Sequence, residues 1–104
     1  MKFTVATVIV LSALIVSPAF ASDGPAVYKS KCAMCHGADG EGDTPAGKAL
    51  KAKSLKEADA MKASDTDLIA IIKNGKGKMP AYSGKLADDD IKSTVAYIRL
   101  LQKK

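Results

Sequence analysis

Cys32, Cys35 and His36 stand together in the run Cys32-Ala33-Met34-Cys35-His36, a C-x-x-C-H pattern. Two cysteines three apart at a helix end can each add a thioether across a vinyl group of a haem. The residue that follows then lies under the iron, where an imidazole becomes an axial ligand. His36 is the single histidine of the 104 residues, so no other imidazole competes for that position. Three other chemistries use the same residue types. A disulfide suits an exported protein, but cysteines three apart close a loop too small to restrain much of the unfolded chain. A thioredoxin-like redox pair wants a βαβ context, which the chain lacks. A closed structural zinc site needs four ligands, and two Cys and one His fall short. Haem attachment is the reading that uses all three residues.

An iron held on one face by His36 needs a second ligand or keeps an open position. Met1, Met34, Met61 and Met79 are the available thioethers. Met34 is confined between the attachment cysteines, and Met61 falls where a helix is expected. Met79 lies in Gly75-Lys76-Gly77-Lys78-Met79-Pro80-Ala81-Tyr82, where two glycines let the backbone wrap closely and Pro80 stiffens the far side. Methionine more often fills gaps in a core, yet no apolar stripe surrounds position 79. Met79 is therefore the candidate second axial ligand. A neutral thioether favours reduced iron and a relatively high potential. Two filled axial positions also exclude substrate, which points to electron transfer without catalysis. The alternative is a haem-based small-ligand sensor or peroxidase-like enzyme with a labile sixth ligand.

These residues need helices and loops to bring them together, and the sequence has little else. After Ser22 no run alternates β-branched or aromatic residues over a strand's length. Helices are expected over 25–33, where Pro25 suits a first turn, and over 51–61. A third is expected over 64–74, with Ser64 as cap and Asp67 three residues on. The fourth spans 88–101, where Ile91, Val95, Ile98 and Leu101 recur at helical spacing. Residues 37–47, with four Gly and one Pro, and residues 75–85 read as loops. Ala87, before the last helix, has no side-chain oxygen to cap with, and Asp88 is the alternative cap.

Length allows one domain. Residues 1–21 read as a cleaved secretory signal: Lys2, an apolar run over 3–16, then Ser17-Pro18 and Ala19-Phe20-Ala21 at the cleavage site. A spanning helix needs roughly 20 apolar residues, so a stable membrane anchor after cleavage is not expected. The periplasm, or the exported side of a bacterial membrane, is the expected compartment. Without Lys2, residues 22–104 carry 15 Lys and Arg against 11 Asp and Glu, a formal charge of +4. With no Trp, one Arg and mixed charge signs, a nucleic-acid partner is not expected. The apolar inventory is small for a domain of this size, and such domains often need a bound group to complete a core.

Taken together, Cys32-Ala33-Met34-Cys35-His36, Gly24 and Tyr28 eight and four residues before it, Tyr97 in the last helix and Met79-Pro80-Ala81-Tyr82 resemble the short, soluble class I monohaem c-type cytochromes of bacteria. The resemblance covers essentially all of 22–104. It implies an all-α small cytochrome c fold, three to five helices wrapped around one covalently bound haem c. Cys32 and Cys35 would form the thioethers, with His36 and Met79 as axial ligands. It implies a crossing of the first and last helices near Gly24 and Tyr97. Tyr28, Leu50, Tyr82 and Tyr97 are candidate pocket or packing residues, and Pro45 is the candidate carbonyl partner of the His36 imidazole. Redox proteins are the implied partners, with Lys73, Lys76, Lys78 and Lys85 as the candidate docking lysines around Met79.

Overall fold

The computed structural model describes residues 23–104; the expected signal segment 1–21 lies outside them. The first helix, α1 (Gly24–Lys31), starts where Asp23 Oδ1 accepts from the Ala26 N–H at 3.1 Å and Pro25 sits in the first turn. It does not run on through Ala33. Cys32 turns off at φ −115°, and α2 (Ala33–His36) begins beyond it as a separate single turn. α3 (Pro45–Ala49) rises inside the expected loop because Thr44 caps it, its hydroxyl accepting from the Gly47 N–H at 2.9 Å.

The helix expected over 51–61 shrinks to α4 (Ala58–Lys62). Lys51 takes φ +56°, and the Leu55 N–H is given to the Gly40 carbonyl at 2.8 Å, so this stretch spends its backbone on distant partners. α5 (Asp65–Asn74) follows the Ser64 cap as expected, with Ser64 Oγ accepting from the Asp67 N–H at 3.0 Å. α6 (Asp88–Gln102) begins after Ala87, which caps without a side-chain bond. Asp88 does not take the cap; it pairs with Lys73 at 3.0 Å. Its two acidic neighbours complement the positive helix end. Among the described residues the fold is all-α, with six helical segments where three to five are expected; α2, α3 and α4 are the short ones. Among the described residues no helix is long and apolar enough to cross a membrane.

The core is a stripe of α6, Ile91, Val95, Ile98 and Leu101, closed by Tyr28 from α1 and by Leu68 and Ile72 from α5. Burying each such side chain is worth about 1.5–3 kcal/mol. α1 crosses α6 at Gly24: a Cβ there would lie 2.2 Å from the Ser93 carbonyl oxygen, so only glycine permits the approach. One turn on, the Tyr28 and Tyr97 rings meet edge-to-face with centroids 5.3 Å apart.

Candidate haem site

Cys32, Cys35 and His36 sit at the joint between α1 and α2. The Cys32 N–H closes α1 onto the Tyr28 carbonyl at 2.9 Å, and the His36 N–H closes α2 onto the Cys32 carbonyl at 3.0 Å. Gly37, at φ +83°, then turns the chain away. α3 backs this joint. The Thr44 hydroxyl donates to the Met34 carbonyl at 2.6 Å, and Gly47 packs so closely that a Cβ would lie 2.2 Å from the Cys35 carbonyl. Tyr28 fixes the other side, its hydroxyl donating to the Gly37 carbonyl at 2.6 Å while burial raises its pKa.

Met79 comes from a separate stretch of chain, the loop after α5 (Asp65–Asn74). α5 ends on Gly75, where a Cβ would meet the Met79 carbonyl at 2.7 Å. The chain folds back through Lys76 and Met79, which exchange backbone bonds of 3.2 and 2.9 Å. The returning strand of loop is tied to α5 by the Tyr82 N–H on the Ile72 carbonyl, at 2.9 Å, and the Ser83 N–H on the Lys73 carbonyl, at 3.0 Å. The Tyr82 hydroxyl reaches the end of α1, donating to the Lys31 carbonyl at 3.1 Å.

Between these two arms lies a cavity of about 860 Å³, lined by Cys32, Cys35, His36 and Met79 together. That is within the range of about 300–1,000 Å³ typical of cofactor sites. Tyr28, Leu50 and Tyr82 also line it. Pro45 and Tyr97 do not: Pro45 opens α3, and Tyr97 packs on the Tyr28 ring. Met61 is absent from the lining and half-exposed on α4.

The donor set suits a haem. Cys32 and Cys35 are free thiols, and burial pushes the Cys32 thiol up to about 11. Burial also lowers the His36 pKa, partly offset by the Lys53 backbone carbonyl. The imidazole is thus kept neutral, the form that ligates metal. His36 Nδ1 is buried with no hydrogen-bond partner in good geometry.

Residues 19–98 match the sequence family described as cytochrome c oxidase, cbb3-type, subunit III. The chain is 38% identical over 90 residues to cytochrome c6 of Picosynechococcus, covering 79% of this chain and 76% of that one. It is 39% identical over 82 residues to cytochrome c6 of Leptolyngbya boryana, covering 75% and 88%. The chain belongs to the monohaem c-type cytochromes. Solved structures agree. The c-type cytochrome KustC0563 superposes with a TM-score of 0.70 at 32% identity, over 77% of this cytochrome and 98% of that chain. Cytochrome c6 of the diatom Phaeodactylum tricornutum does so at 0.58 and 29%, over 77% and 91%. This cytochrome accordingly carries one covalently bound haem c and transfers electrons with redox partners; it is a carrier and not an enzyme. Its relatives lend no support to the sensor or peroxidase alternative.

Thr44, Gly47 and Lys53 are the contributors that residue types did not single out. Thr44-Pro45 is a cap-and-first-turn signal that marks α3 in hindsight. No local signal marks Lys53, which the fold brings into the cavity lining.

Proposed function

We propose that Cys32 and Cys35 hold the haem as thioethers, that His36 and Met79 are its two axial ligands, and that the cytochrome shuttles single electrons on the exported side of a bacterial membrane after losing residues 1–21. One observation carries this reading: a single cavity is lined by Cys32, Cys35 and His36 from one end of the chain and by Met79, 43 residues after His36. The bound haem supplies the one-electron couple. The protein's own residues bind and orient it. α2 presents Cys35 and His36 on consecutive positions, burial keeps the His36 ring neutral, and the loop returning through Tyr82 keeps the Met79 segment against the cavity. Leu50, Tyr28 and Tyr82 supply wall.

Charge at the cavity mouth supports docking to acidic partners. Lys76 and Lys78 are exposed and line the cavity. Lys85 is exposed but lies outside the lining, and Lys73 is already paired with Asp88. The docking set therefore narrows to Lys76 and Lys78, with Lys85 peripheral and Lys73 muted. Such lysines steer encounter more than they add affinity.

Purified protein tests the reading directly. Its mass should equal residues 22–104 plus one haem. Its absorption after denaturation should still show the haem, and its native ferric spectrum should show a thioether-to-iron charge-transfer band. A haem that is extracted on denaturation, or a native spectrum without that band, refutes the corresponding assignment.

A further inference from the structure

Arg99 is the only arginine in the sequence, among 16 cationic residues. Its side chain is largely buried. From the last turn of α6 its guanidinium fans out over the junction of α4 and α5. Nε donates to Asp65 Oδ1 at 2.8 Å, Nη1 to the Ala60 carbonyl at 3.3 Å, and Nη2 to the Ala63 carbonyl. Nη1 also donates to Gln102 Oε1 at 2.9 Å, one turn further along α6. The Gln102 amide in turn donates to the Leu55 carbonyl at 2.8 Å. Two neighbouring side chains of one helix thus hold both ends of the 55–63 segment.

That segment is a wall of the haem cavity, to which it contributes Leu55, Glu57, Asp59, Ala60 and Ala63. It has little order of its own. α4 has five residues, its cap Glu57 makes no side-chain bond, and it buries no residue fully. A helix this short is unstable alone, and its last carbonyls are orphans unless something donates to them. The leading end has other ties, including the Leu55 N–H on the Gly40 carbonyl and Lys56 on Glu41 at 2.9 Å. The trailing end depends on Arg99. Asp65 is mostly exposed, so the ion pair itself is weak. The fork onto two carbonyls is the stronger part, since charge-assisted bonds exceed neutral ones and lysine has no planar fork to match.

We propose that Arg99, braced by Gln102, is the positioning residue that straps the 55–63 wall onto the haem cavity, keeping water out and the haem potential high. The proposal rests on the reading that the haem occupies this cavity. A wall that opens admits water, which stabilises the more highly charged ferric state and lowers the potential. It also admits small ligands that compete with a weak thioether.

The test uses the haem-loaded protein with Arg99→Met, Arg99→Lys and, as a control, Val95→Ala. Val95 is buried in the core and is not part of the cavity lining. Covalent haem is measured first: its absence from the wild type would refute the proposed function and the strap with it, whereas unchanged exchange in the haem-loaded variants refutes the strap alone. Arg99→Met should speed exchange at the Met61 and Ala63 amides by about tenfold or more, ~1.4 kcal/mol in the local opening equilibrium. It should also lower the potential and strengthen the binding of added imidazole to the ferric form. Arg99→Lys keeps a charge for Asp65 but loses the fork. It should show the same three changes in smaller degree, and it serves if Arg99→Met fails to fold. Val95→Ala should lower the melting temperature with none of the three. Unchanged exchange at Met61 and Ala63 overturns the proposal. So does a potential that moves as far in Val95→Ala as in the Arg99 variants at matched stability.

Discussion

The two arms of the cavity are built on different principles. The arm bearing Cys32, Cys35 and His36 is local: α1, α2 and α3 follow one another within residues 24–49, and their ties are short backbone bonds between near neighbours. Thr44 and Gly47 lock α3 onto α2 at a distance that tolerates no added atom. The arm bearing Met79 is a loop, held by the end of α5 and by one hydroxyl, that of Tyr82, reaching across 51 positions to Lys31. Ligand-bearing loops with few buried contacts belong to the low-stability end of a fold. The attachment side is therefore expected to hold its shape when the distal side is disturbed, and the reverse is not expected.

The largest effect is expected from Cys32→Ser with Cys35→Ser. Only seven large apolar side chains are buried among the described residues, and the cavity between the arms is larger than such a core can close. The doubly substituted protein should be largely disordered by circular dichroism. Native-like helix content with a cooperative melt would show that the local arm folds unaided. Gly47→Ala comes next. Its Cβ would press on the Cys35 and Gly42 carbonyls, at 2.2 and 2.6 Å, and backbone cannot step aside as a side chain can. A loss of about 1–3 kcal/mol in chemical denaturation is expected, together with a lower yield of covalent haem.

Met79→Ala probes the other arm alone. The haem should remain attached, while the charge-transfer band disappears and the potential falls. If the band persists there and vanishes in Met61→Ala, the distal arm has been assigned to the wrong methionine. The smallest effect is expected from Lys76→Glu with Lys78→Glu. The bimolecular rate with an acidic redox partner should drop at low salt, and in the wild type it should decline as salt screens the charges. The potential should barely move. A rate indifferent to salt and to both substitutions leaves these lysines as solubilising charge.

Local chemistry was readable from the chain. Ser64 caps α5 as its type predicts, and the stripe of Ile91, Val95, Ile98 and Leu101 is buried as its period predicts. The misreadings fall where long-range bonds outweigh local propensity. Cys32 breaks one expected helix into two, and Lys51, at positive φ, stops another from starting until Ala58. Asp88, a plausible cap by type, is drawn to Lys73 instead.

By itself the sequence determined the attachment motif, the single histidine, the methionine loop and the helical class, because each depends on residue type and short spacing. Tertiary structure alone decided that Met79 shares one cavity with Cys32, Cys35 and His36. It also decided that the Arg99 and Gln102 side chains bond the Ala60, Ala63 and Leu55 carbonyls. Each of those outcomes pairs a side chain with a backbone group or a cavity brought in from a distant stretch of chain. Backbone carbonyls are alike at every position, so no residue type announces which one will be used.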